Sequence, residues 1–148
     1  MAFKVATQSP NIPALEYRAD ASTSFTAGNV GYRDTSTGEI KEEASGAATT
    51  LTIECVIAKT ETTGSSNPTI RAIPIISGPA QLWIADCNAN TAANQLNKAH
   101  DLTDAGTVDN TATHDSTTAG VFVALKQIGA ASDKKLLGYF VKVGQVTA

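Results

Sequence analysis

The segment "TTLTIECVIAK", Thr49 to Lys59, sets the tightest limit on what this chain can become. Apolar and polar residues alternate along it. Leu51, Ile53, Cys55 and Ile57 point to one side, and Thr52 and Glu54 to the other. A period of two belongs to a strand with one buried face. Similar stretches recur along the chain, separated by turn residues. "TAGNVGYRDTSTGEIKEE" reads as strand, turn and strand, with Gly38 free to take a positive φ. "TIRAIPII" is a further strand, and Pro74 puts it at an edge or a bulge. "AQLWIADC", "GVFVALKQI" and "KKLLGYFVKV" follow, with "GAASD" joining the last two and Gly138 as a bulge candidate. "NTAANQLNKA" is the one helical candidate. Asn90 or Thr91 could cap it, and Ala93, Leu96 and Ala99 or His100 would share its face. No repeat of solenoid length is visible. The pattern predicts an all-β fold: a single compact barrel or sandwich of about seven or eight short strands with one short helix.

Residues 1–18 behave differently. Pro10 and Pro13 break ladders and helices, so the segment reads as an extended N-terminal arm ahead of a single β domain at 19–148. It carries Phe3, Val5, Ile12, Leu15 and Tyr17, apolar residues that need a surface to cover them. Phe3, Val5, Pro10, Ile12, Pro13, Leu15 and Tyr17 are therefore the candidate protein-interface residues. The arm would engage a neighbour or form an edge strand of its own domain.

Composition narrows the function classes. The net charge is −3, and no basic run exceeds Lys134-Lys135. Nucleic-acid backbones require concentrated positive charge, so direct nucleic-acid binding is not expected. No apolar run reaches the length of about 20 residues that crosses a bilayer, so no membrane partner is expected either. The first residues carry one Lys and no long apolar run, unlike a secretory signal. Cys55 and Cys87 fit no metal or redox spacing and read as buried thiols, with a disulfide open only to neighbouring strands.

Each apparent chemical motif has a structural alternative. "HDLTDAGTVDNTATHD" holds His100, His114, Asp101, Asp104, Asp109 and Asp115. The histidines are too far apart for a helical ligand pair, and Asp104 to Thr107 is a turn between short strands. "DCNAN" imitates a calcium loop, but Thr91 stands where glycine is required and Asn97 where a bidentate Glu is required. "SDKK" lies in a hairpin turn rather than on a helix. Glu42-Glu43 is a solvated pair. No phosphate-binding glycine loop or nucleophile elbow occurs. No enzyme activity, cofactor or metal is expected.

The segment from "LWIADCNANTAANQLNKAHDLTDAGTVDN" through "GVF" to "LLGYFVKV", residues 82 to 143, resembles the decoration or cement proteins of tailed-bacteriophage heads. The resemblance implies a compact β domain without an active site. It also implies a homotrimer seated on the outer surface of the major capsid protein shell, made in the host cytoplasm and ending in the virion. There it would stabilise subunit junctions. The acidic balance suits an outer surface. The alternative is a receptor- or glycan-binding β module of a fibre, or a tail or head-completion protein. A glycan site would need Trp83, Tyr32 or Tyr139 as a platform, and Trp83, set in "QLWIA", should be buried.

Overall fold

The computed structural model describes residues 2–42, 53–114 and 120–141, and no side chain of residues 112–114. Thirteen strands run through these residues. They are β1 (Phe3–Val5), β2 (Leu15–Arg18), β3 (Ser24–Phe25), β4 (Val30–Arg33), β5 (Ile40–Glu42), β6 (Ile53–Ile57) and β7 (Glu61–Thr62), then β8 (Thr69–Pro74), β9 (Trp83–Asp86), β10 (Ala99–Asp104), β11 (Thr107–His114), β12 (Phe122–Gln127) and β13 (Lys135–Phe140). The fold is all-β, as the alternation requires. The strand number exceeds seven or eight because β1, β2, β3 and β7 are too short or too near proline to show a period of their own.

A five-stranded sheet has the order β2-β8-β6-β4-β5, and a six-stranded sheet has the order β1-β9-β13-β12-β10-β11. Both curl. In the first, Ala19, just past β2, makes a parallel bridge to Ile40 on β5. In the second, Cys87, just past β9, makes a parallel bridge to Val108 on β11. The two bridges are displaced by the same 68 positions, 19 to 87 and 40 to 108.

The correspondence extends through the ladders. β2, β4, β5, β6 and β8 match β9, β10, β11, β12 and β13 in order and in pairing partners. Leu15 faces Ala72 as Trp83 faces Gly138, and Val56 faces Ile73 as Val123 faces Tyr139. The Asp20 N–H donates to the Ile40 carbonyl at 3.0 Å, and the Asn88 N–H to the Val108 carbonyl at 3.1 Å. Gly28 and Asn97, both at positive φ, donate to the carbonyls of Ile57 and Ala124 at 2.8 and 2.6 Å. Even the crossing loops correspond. Thr63 N–H meets the Thr23 carbonyl beside the β3-β7 ribbon, and Thr91 N–H meets the Ala131 carbonyl between two 3₁₀ turns. The chain is therefore two structural repeats, 15–74 and 83–140. Among the matched pairs named here, only Val56 with Val123 and Thr23 with Thr91 are identical.

Each curl encloses a core. Ala19, Phe25, Ile40, Cys55, Ile57, Ile70 and Ala72 fill the first. The matching positions Cys87, Val108, Phe122, Ala124 and Leu136 lie in the second, which continues through Phe3 to Val30, Ile53, Val56 and Ile75 on the outer face of the first repeat. Four aromatic rings knit this larger core. Phe3 lies 4.8 Å from Phe140, Phe122 lies 5.3 Å from Phe140, and Trp83 meets Phe140 edge-on at 5.8 Å.

Four expectations are corrected by this arrangement. Ile53 does not share a side with Cys55 and Ile57. The register passes from Gly31 opposite Cys55 to Tyr32 opposite Ile53, so Glu54 is bulged out and Ile53 turns to the larger core with Val56. A bulge resets the period of two. Leu51 and Thr52 lie outside the described residues. The helix candidate yields only a 3₁₀ turn, Ala93–Gln95. Asn97 takes a left-handed φ of 59° to reach Ala124, and Ala92 rather than Asn90 or Thr91 stands at its start. Pro74 is not on an edge strand, since β8 lies between β2 and β6. It falls where β2 has ended, so its missing N–H breaks no bond to that side. The bulge foreseen at Gly138 is on the opposite strand, at Leu125. Gly138 supplies the room: a Cβ there would stand 2.1 Å from the Val123 carbonyl oxygen.

Candidate interaction surface

The first eighteen residues are woven into both repeats. β1 pairs with β9, and β2 pairs with β8. Between them the chain turns at Ser9, whose hydroxyl accepts the Leu82 N–H at 3.0 Å, and passes over the surface through Pro10 and Pro13. Arg71 reaches back to the Ala14 carbonyl at 3.3 Å. The segment is extended, as its prolines require, and it straps the two repeats together.

This placement divides the candidate interface residues. Phe3 is 1% exposed and belongs to the aromatic core, so it is not available to a neighbour. Its period-two partner Val5 is half-buried against the same core. Tyr17 is half-buried against the smaller core, and burial, with Cys55 and Glu54 beside it, pushes its phenol pKa up. Pro10 and Pro13 are exposed, Ile12 is half-buried, and Leu15 is 49% exposed. Leu15 and Ile76 are the exposed large aliphatic residues among those described. The outward apolar surface is thus the run Pro10 to Leu15, shorter than the sequence alone implies.

A groove of about 300 Å³ runs beside β1, lined by Phe3, Lys4, Val5, Val56, Ile73 and Trp83 among others. Lys4 is the ionisable residue in that lining. No facing acid and base meet there, so the groove offers apolar contact rather than proton transfer.

The acidic histidine-bearing segment is structural where it is described. β10 and β11 form a hairpin, and the Gly106 N–H donates to Asp104 Oδ1 at 2.8 Å in its turn. Asp34 and Ser36 make the same contact at 2.8 Å in the matching hairpin of the first repeat. Asp109 accepts from the Thr111 hydroxyl at 2.5 Å and from Asn88 at 3.2 Å. His100 is buried, and its Nε2 donates to the Gln95 carbonyl at 2.9 Å. Asp115 lies outside the described residues. Among the described residues no three His, Cys, Asp or Glu side chains converge as metal ligands.

Beside this hairpin sits a buried polar knot that sequence reading missed. Asn110, 1% exposed, accepts the Ala89 N–H at 3.0 Å and donates to the carbonyls of Ala89 and Asn90 and to Gln95 Oε1. Gln95 Nε2 returns a bond to the Asn110 carbonyl at 3.0 Å. The knot clamps the loop 88–95 onto β11. An Asn within a turn-rich segment gives no sequence signal that separates it from a solvated turn residue.

Trp83 is fully buried, as its apolar neighbours imply, and so offers no stacking platform. Cys55 and Cys87 form no disulfide and are buried in different cores. Burial, reinforced by the nearby Asp86 carboxylate, pushes the Cys87 thiol up to about 12. No helix among the described residues is long and apolar enough to cross a membrane. No protein-family model matches the chain, and no curated protein sequence matches it either.

Proposed function

We propose that this chain is a virion structural protein, a decoration or cement protein on the outer surface of a tailed-phage head. It binds the major capsid protein shell and stabilises the junctions between subunits, acting as a homotrimer. The observation that carries the reading is the strap from Pro10 to Leu15. It presents apolar groups outward from the pair of β repeats. An exposed apolar run beside a groove whose ionisable lining residue is Lys4 suits adhesion rather than turnover. The net charge of −3 supports an outward-facing position, away from packaged nucleic acid. The buried Trp83 weakens the glycan-binding alternative, because the largest aromatic is withdrawn from the surface.

The test uses surface substitutions rather than truncation, because removing residues 1–15 would also remove Phe3 from the core. Leu15→Asp and Ile12→Asp should fold with unchanged thermal midpoints and lose retention on phage heads in co-sedimentation. Full retention by both variants would refute the strap as the contact.

A further inference from the structure

The two repeats differ at one edge. In the second, β9 is covered by β1, with Phe3 opposite Ala85, Lys4 opposite Ile84 and Val5 opposite Trp83. In the first, among the described residues, the matching strand β2 pairs with β8, and β5 bridges Ala19 just past its end. The free groups can be assigned from the ladder. The Ala19 N–H donates to the Pro68 carbonyl at 3.1 Å, the counterpart of Cys87 to Lys134 at 2.9 Å. Strand alternation then turns the N–H groups of Glu16 and Arg18 away from β8. Their counterparts Ile84 and Asp86 face β1, where the Asp86 N–H donates to the Ala2 carbonyl at 3.0 Å. The Leu82 carbonyl accepts there from Ala6 at 2.9 Å; its counterpart in the first repeat, the Ala14 carbonyl, accepts instead from the Arg71 guanidinium at 3.3 Å, a side-chain contact in place of a strand. Among the described residues no strand pairs with the outer side of Glu16; past Arg18 the edge is met by β5, where Ile40 bridges Ala19.

We propose that the outer edge of β2 is a docking site for an extended segment of a partner protein, added antiparallel as β1 is added to β9. The occupant carries an apolar, a basic and an apolar residue in succession. β1 supplies the template, Phe3-Lys4-Val5. An apolar residue opposite Leu15 covers the most exposed large aliphatic side chain among the described residues. A basic residue falls opposite Glu16, which stands where the second repeat has the uncharged Ile84. Opposite charges directly across a ladder stabilise it, and like charges destabilise it. That argument disfavours a second copy pairing through its own β2, because the register that satisfies the same backbone groups sets Glu16 opposite Glu16. Main-chain bonds supply affinity in such additions and alternate side chains supply specificity.

This inference does not depend on the capsid reading, and its test contains no capsid. The probe is a synthetic peptide with the sequence of residues 2–9, titrated into the full isotope-labelled chain. Amide shifts and exchange protection should appear at Glu16 and Arg18. Glu16→Pro removes the outward N–H but no bond to β8, a position where an edge strand tolerates proline. It should abolish binding. Glu16→Lys, which keeps the backbone intact, should bind about fivefold more weakly. Shifts confined to the β9 edge, where the peptide would merely displace β1, would overturn the proposal. So would the absence of any shift at peptide concentrations of about 1 mM. Protection at Glu16 and Arg18 that rises with protein concentration, without peptide, would overturn it in favour of a second copy.

Discussion

Asn110 is where a single substitution should reveal most about how the second repeat holds its long crossing loop. Its amide makes one accepted and three donated hydrogen bonds, and the residue is 1% exposed. Asn110→Ala removes all four. The Asn90 carbonyl lies on an exposed residue and regains water. Gln95 Oε1 keeps the Ala92 N–H at 2.9 Å, while the N–H and carbonyl of half-buried Ala89 lose their partner with little access to water. A net hydrogen bond contributes about 1 kcal/mol, and a covered group left unpaired costs about 1–3 kcal/mol. The substitution should therefore destabilise the fold by about 3 kcal/mol, a large part of a typical stability of about 5–15 kcal/mol. With a urea slope of about 2 kcal/mol/M, the unfolding midpoint falls by about 1.5 M. Trp83, fully buried, reports unfolding by fluorescence. Asn110→Asp should be at least as damaging near neutral pH, because a carboxylate would face three acceptors. A midpoint within about 0.3 M of wild type for Asn110→Ala would refute the claim that this knot anchors the loop.

Other perturbations bear on the same structure. Gly138→Ala places a Cβ against the Val123 carbonyl and the Phe122 ring, so it should cost about 2 kcal/mol or more in chemical denaturation; a neutral result would mean that β12 yields. Cys55 and Cys87 should resist thiol reagents until the chain unfolds. The raised Cys87 pKa means that the unfolded chain releases that proton first, so stability should fall as pH rises from about 9 to about 12, and Cys87→Ala should flatten this slope. Asp34 has its carboxyl held well below the usual range by Lys41 and by the Ser36 hydroxyl and N–H. Its contribution is present above about pH 4 and is lost as pH falls further, so Lys41→Met should reduce the acid-side slope of a pH-stability profile.

The long alternating strands and the hairpin turns were legible because side-chain period and turn chemistry are local. β6, β9, β12 and β13 fall where apolar alternation or apolar runs place them, and Gly38 takes the positive φ its turn needs. The bulge at Glu54 was not legible, since nothing in "TIECVIA" marks which residue will be skipped. The repeat was hidden for a related reason. Register and hydrogen-bond geometry persist between the halves, while the side chains filling them have changed: Gly31 in one core corresponds to His100 in the other, and Ala72 to Gly138. The exposure of the N-terminal arm was half legible. Pro10, Pro13 and Leu15 are exposed, but Phe3 carries the same apolar character and is buried. Apolar character alone does not say which surface a side chain will cover. The open edge of β2 lies in the backbone, where residue types leave little trace.

The head-binding claim is tested most directly by saturating purified phage heads that lack this protein and measuring bound copies per head. The account predicts saturation at a fixed stoichiometry divisible by three, with a trimer seen by light scattering before binding. A monomer that fails to sediment with heads at any concentration would contradict it.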